Sequence, residues 1–430
     1  MMEELLQIAQ KKGCKAEVFF SEGYSDIVSF EDSKLKNIDS KILSGISLRI
    51  IKDNKLGFAY TRNLLNKEEL VNNALKSLKG GVDGFFEFPL TQNLKNLDTY
   101  SPDIEDISNN LLVEECKRLC DTILQKISCQ INVTAQKTVN SLRLINTSGT
   151  ELSVISSSYA LTTELVYPYS SASLYRVIAG KSFIKAGDEY INFLTENYGH
   201  SLKEVKANSG RMKVIFLPET LYVLMWRLQT AASSNSLYQN ISPLAGRIGE
   251  KVFDEKFTVF NDPLNDSIPG ARAFDDEGVQ CRQFPIVEKG IFRNFYYDLY
   301  FAERLKTDST GNGFRASVSS KPSPALRHIY IVPGDKSFSD LIQSIDKGII
   351  VGGALGAHSG NIPNGDFSIG ISPAIYVENG NVVGHIKDAM AAGNIYETLT
   401  NIIDVENKTY ISHGGNCPSI LFNEVNVIIK

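Results

Sequence analysis

Two runs near the start of the chain constrain its fold most: AEVFFSEGYSDIVSFEDSKLKNID (16–39) and SGISLRIIKDNKLGFAYT (44–61). Apolar and polar residues alternate along both, which sends successive side chains to opposite faces and specifies half-buried β-strands. The first run is expected to form two strands joined by a turn at Glu22–Gly23. The second reads as a hairpin with Asp53–Asn54 at its tip and Ile46, Leu48 and Ile50 on one face.

Helical patterns flank these strands. Residues 1–12 carry acids at positions 3 and 4 and place Leu5, Ile8 and Ala9 on one face. A signal peptide needs a positive start and then an apolar block, and the amphipathic start is the better reading. Asn66 can cap a helix with the stripe Leu70, Ala74, Leu75 and Leu78, closed by Gly80–Gly81. A long helix is expected from Ile104 to Ile127, then strands at 131–139 and 141–145, a turn at Asn146–Gly149, and strand to about 168. KVIFL (213–217) reads as a short buried strand, and PETLYVLMWRLQTAAS as a helix with Pro218 in its first turn. Beyond 243 the strands shorten, Gly and Asn become frequent, and VEKGIF and VENGNVVG mark hairpins tipped by Gly290 and Asn379–Gly380.

The expected fold class is α+β. Antiparallel sheets and long helices come first, and a mostly β C-terminal domain with added helices follows. The corresponding division is an N-terminal domain at 1–81, a linker at 82–103, a central helix-plus-strands domain at 104–210 and a C-terminal domain at 211–430.

Charge and cysteine usage narrow the function. Lys and Arg total 44 against 49 Asp and Glu, a net charge of −5 with no basic block, which argues against nucleic acid as a partner. No apolar run is long enough to span a membrane. The six cysteines are scattered without a CxxC, the pattern of reduced, buried thiols, and the cytoplasm is the expected compartment.

The stretch AFDDEGVQCR (273–282) admits three readings. Asp275, Asp276 and Glu277 could perform acid–base work, bind substrate or a hard cation, or form a turn whose carboxylates accept from nearby amides, with Gly278 in the left-handed region. No HExxH, nucleophile elbow or phosphate loop is present. His358, His413 and Cys417 make the one conceivable His/Cys metal set, although ordinary loop roles account for them. STGNGFR (309–315) and AAGNIYETL (391–399) set Gly beside Asn, which suits tight turns or a backbone that a ligand approaches closely.

Taken in order, SGISLRIIKDNKLGFAYT, LAGRIGEKV, ARAFDDEGVQCRQFPIVEKGIFRNFYYDLYFAERL, STGNGFR, NGDFSIGISPAIYVENG and AAGN resemble the TldD/PmbA family over nearly the whole chain. The resemblance implies a link to peptide maturation and to proteolysis of poorly structured proteins. In that family the TldD type is a zinc metallopeptidase, and the PmbA (TldE) branch pairs with it as a heterodimer. The TldD type carries an HExxxH helix just upstream of the stretch that here reads AGRIGEKV. Its ligand positions fall among Met225, Trp226, Arg227, Thr230 and Ala231. The TldD type's C-G-K ligand region reads IIDVENKTY here, without a cysteine, and Cys417 lies further on. The chain therefore resembles the PmbA/TldE branch. That implies no zinc of its own, a zinc-bearing TldD-type partner or self-association, and an extended peptide bound by strand addition. Asp275, Asp276, Glu277, Thr310, Gly311, Asn312 and Asn394 are the expected groove or interface residues. The alternatives are a peptide-binding homodimer that does not cut, and a stand-alone hydrolase with an unrecognised site.

Overall fold

The structure, a computed structural model, describes residues 1–412 and 415–429. Helix α1 (Met2–Lys11) buries Met2, Leu5 and Ala9. Strands β1 (Lys15–Glu31), β2 (Lys34–Lys52) and β3 (Lys55–Thr61) follow it. The turn expected at Glu22–Gly23 does not exist. β1 runs straight through it, with Gly23 paired to Leu43 on one side and to Asn140 on the other. The chain reverses instead at Asp32–Ser33, both in the left-handed region. Alternation continues unbroken across Gly23, so the glycine is an interior strand residue and the acid-rich EDS supplies the turn.

Helix α2 (Lys67–Ser77) starts where Asn66 Oδ1 accepts the Glu69 amide at 3.2 Å, and it buries Leu70, Val71 and Ala74. After the short β4 (Val82–Asp83) the chain drapes across the fold and buries Phe86 and Phe88. Helix α3 (Asn109–Lys126) begins later than its apolar pattern suggests. Residues Pro102–Ile104 form a separate 3₁₀ turn, and the Ser108 hydroxyl caps the helix at the Leu111 amide. Strand β5 (Gln130–Asn146) is one unbroken strand rather than two, followed by β6 (Glu151–Val166) and β7 (Ser173–Gly180). These seven strands form an antiparallel sheet in the order β4-β3-β2-β1-β5-β6-β7. One sheet thus draws on both 1–81 and 104–210.

Helix α4 (Asp188–His200), strand β8 (Gly210–Phe216) and helix α5 (Tyr222–Ala232) lead into the second half. β8 lies inside a nine-stranded sheet, antiparallel to the last strand Ile420–Ile429 and parallel to Lys347–Val351. Both of its faces are buried. Val214 and Phe216 join a core with Leu224 and Leu228 of α5, while Ile215 and Leu217 join a core with Leu119 of α3 and Leu194 of α4. A strand buried on both sides needs a continuous apolar run, which is why KVIFL lacks alternation. The α3–α4 core also contains Val133 and Leu161 of the first sheet, so these helices fill the space between the two sheets.

A six-stranded sheet (259–261, 284–288, 291–292, 329–331, 410–412 and 415–417) completes the second half. The architecture is α+β, as the sequence pattern indicates. The hairpin tips Asp53–Asn54, Lys289–Gly290 and Asn379–Gly380 each have two left-handed residues, the geometry that matches strand twist. Among the described residues no helix is long and apolar enough to cross a membrane.

The cap at Asn66 gives a direct check. Asn66→Ala should lower stability by about 1 kcal/mol in urea unfolding, and Asn66→Asp should restore most of it.

Candidate functional site

The acidic stretch folds as a tight turn. Asp275 Oδ1 accepts the amides of Glu277 and Val279 at 3.0 and 2.9 Å, and Gly278 takes φ +79°. Phe274 and Gln280 bridge across the turn's base. Asp275 Oδ2 accepts the Gly313 amide at 2.8 Å, Asp276 Oδ2 accepts the Arg315 amide at 2.9 Å, and Asp276 Oδ1 receives Arg272 at 3.0 Å. Backbone amides and one arginine therefore take up these carboxylates. Relative exposures of 0%, 2% and 1% place all three acids inside the protein.

Glu277 reaches furthest. Its Oε2 accepts the Leu299 amide at 2.7 Å, and its Oε1 receives Arg49 Nη1 of β2 at 2.6 Å. Arg49 also grips Glu17 of β1 through two bonds of 2.9 and 2.6 Å, and Arg315 binds the same Glu17 at 2.7 Å. Glu17 and Arg49 stand directly opposite each other in the β1–β2 register. Phe86 and Phe88 cover the Arg49 guanidinium, with ring centroids at 5.8 and 5.4 Å. The packing leaves no slack: a Cβ on Gly313 would sit 2.2 Å from Glu277 Oε2.

Electrostatics follow from burial. Asp275 is held well above the usual carboxylate range by loss of solvent and then by the Glu277 charge. Burial pushes Arg315 down to about 10, opposed by Glu17. Burial also works against the charge of Arg49, yet Glu17 and Glu277 together raise its pKa. Asp298 caps the helix Leu299–Arg304 by accepting the Phe301 amide at 2.8 Å. Burial and then the neighbouring Glu277 push its carboxyl up to about 8.

The structure brings 310–312 to this turn. The Thr310 hydroxyl bonds Asn312 Oδ1 at 2.7 Å, Asn312 Nδ2 donates to the Ala325 carbonyl at 3.0 Å, and the Cys281 thiol meets the Gly311 carbonyl. Asn394 belongs to a second place. It caps the helix Ile395–Thr398 and donates to Asp366 Oδ1 at 2.8 Å.

That second place surrounds α5. At the positions where the resemblance would seat zinc ligands, Met225 and Ala231 are buried, Trp226 is 40% exposed, and Arg227 is fully buried. The Arg227 guanidinium donates to the carbonyls of Val223, Ala357, Ser359 and Asp366 at 2.6 to 3.0 Å. It ties the loop at 357–366 to the helix, and burial pulls its pKa down. Thioether, indole, guanidinium, hydroxyl and methyl groups here do not make a zinc site. His358 is exposed, whereas Cys417 is buried in the core, its thiol pushed up to about 12 by burial and the nearby Glu219. His413 lies outside the described residues. Among the described residues no group of three His, Cys, Asp or Glu could hold a metal ion.

Sequence reasoning missed Glu17, Arg49 and Asp298, and it named Arg227 only as a position without a zinc ligand. A signal existed for two of them: a charged residue set inside an apolar strand run, AEVFF and SLRII, needs a buried partner.

Comparison with known proteins fits this geometry. The model for the PmbA/TldA metallopeptidase C-terminal domain matches residues 209–429, and that for PmbA/TldA metallopeptidase domain 1 matches 16–78. An uncharacterised protein of Methanocaldococcus jannaschii is 28% identical, over 98% of both chains. A metalloprotease of the same organism is 27% identical, over 97% of this chain and 94% of the relative. The crystal structure of TldE from Thermococcus kodakarensis superposes with a TM-score of 0.92 over 99% of both chains at 24% identity. A putative modulator of a DNA gyrase from Thermotoga maritima gives 0.88, over 99% of this chain and 98% of that one, at 23% identity.

Asp298 yields a pH prediction. Its folded pKa is raised, so the stability it contributes is full below about pH 4 and falls as pH climbs toward 8. Asn caps as well as Asp. Asp298→Asn should therefore flatten the decline in stability across that window, followed by thermal unfolding at a series of pH values.

Proposed function

Because the chain belongs to the PmbA/TldD metallopeptidase family, we propose that it is the PmbA/TldE-type subunit of a cytosolic peptidase complex acting on peptides and poorly structured proteins. In this reading a TldD-type partner supplies the zinc and this chain binds none. The carrying observation is Arg227. A guanidinium on α5 that already donates to four carbonyls has no lone pair for a metal and cannot act as the base of a zinc hydrolase.

The role left to such a chain is to complete the complex and to hold an extended substrate. Support for a partner comes from the first half of β2, where Leu35, Ile38 and Ile42, on one face of the sheet, are 45% to 69% exposed. Bulky apolar side chains grouped in this way favour coverage by another protein surface. The acidic turn then acts as an internal fastening, and substrate contacts fall elsewhere.

Two measurements test the reading. Purified alone and dialysed, the chain should hold less than about a tenth of an equivalent of zinc, and it should leave an unstructured peptide intact. Adding a TldD-type zinc subunit should yield cleavage that neither chain gives alone. About one tightly held equivalent of zinc, or cleavage by this chain alone, would overturn the proposal.

A further inference from the structure

A cleft of about 770 Å³ opens between β7, α4 and residues Glu406, Lys408, Tyr410 and Ser419. Arg176 of β7 lines it and is only 4% exposed. Its guanidinium is clamped between two rings, 3.9 Å from the centroid of Phe193 and 3.8 Å from that of Tyr410. Stacking on both faces leaves only the in-plane N–H groups to bind anything, and it fixes their direction.

One of those groups, Nη1, is poorly matched within the protein. The charged neighbour is Glu219, whose Oε1 stands 3.5 Å from Nη1. Among the described residues Nη1 forms no hydrogen bond, and neither oxygen of Glu219 does. The buried Nη1 meets its charge partner without a hydrogen bond, which leaves the guanidinium short of acceptors that a ligand can supply.

The cleft's other walls select the anion. Ile178, Ile184 and Phe338 present apolar surface, and the charged lining comprises Glu189, Glu196, the buried Glu406 and Lys185. Lys408 is taken up by Glu189. With Lys408 paired, the lining has no surplus of positive charge to attract a doubly charged phosphate, and its apolar wall suits a single charge carried on an apolar body.

We propose that this cleft binds the carboxylate of a peptide's C-terminal residue, with Arg176 receiving the carboxylate in its fork and Ile178, Ile184 and Phe338 receiving an apolar side chain. Carboxylate and guanidinium pair through two parallel bonds, and the fixed plane of Arg176 suits that geometry. The site is a binding site only, and no bond is made or broken there.

The test uses the full chain without any zinc-bearing partner, so it is independent of the peptidase-subunit reading. Isoleucine methyl spectra would be recorded with N-acetyl-leucine and with N-acetyl-leucinamide, which differ only in the carboxylate. The acid should shift the methyls of Ile178 and Ile184, and the amide should bind at least about tenfold more weakly. Arg176→Met should abolish the difference between the two. Ile184→Glu, at a 37% exposed position, should weaken the acid without disturbing the fold, and it decides the matter if Arg176→Met does not fold. Equal shifts from acid and amide, no shift from either at about 10 mM, or inorganic phosphate competing as well as the acid would overturn the assignment.

Discussion

Arg49 is the residue on which the two halves of the molecule depend. It projects from β2 of the first sheet, takes both oxygens of Glu17 on the neighbouring strand, and reaches Glu277 in a turn that belongs to the second half. Arg315 returns from the second half to the same Glu17. Each charge is fully buried and each has an opposite partner. Such a network adds little net stability over an apolar core of equal volume, but removing one member strands the others at a cost of about 3–5 kcal/mol. Its directional bonds join the first sheet to the acidic turn, alongside the apolar core that the first sheet shares with α3, α4 and β8.

This explains why three consecutive acids tolerate burial. Asp275 is spent on its own turn and on Gly313, Asp276 on Arg315 and Arg272, and Glu277 on Arg49 and Leu299. Loop 309–315 closes around them, and a glycine at 313 lets the chain approach Glu277. A second anchoring cation, Arg227, plays a comparable part within the second half by joining α5 to the loop at 357–366. Two buried arginines with different acceptors thus set the arrangement around the helix and the acidic turn.

Much of this fold was legible in the sequence, because local physics fixed it. Alternation marked β1 to β3, Asn66 marked the start of α2, and the paired Asp-Asn, Lys-Gly and Asn-Gly positions marked hairpin tips. Gly23 misled because a glycine beside an acid imitates a turn, while its actual place is set by strands on both sides. Gly278 and the amide-bound carboxylates were legible as one of three readings of the acidic stretch. The partners of Glu277 were not, since Arg49 lies 228 positions away and only the tertiary fold brings them together. Arg227 on α5 read as a missing ligand, and its four carbonyl acceptors became visible only with the loop in place.

If the Arg49 network couples the halves, the unfolding of Arg49→Met will separate them. Trp226, the single tryptophan, reports on the second half, and amide exchange in β1–β3 reports on the first. In the unaltered chain both probes should report one transition. In Arg49→Met the β1–β3 amides should lose protection at lower denaturant than the Trp226 signal changes. Coincident transitions in the variant, with a loss below about 1 kcal/mol, would contradict the claim.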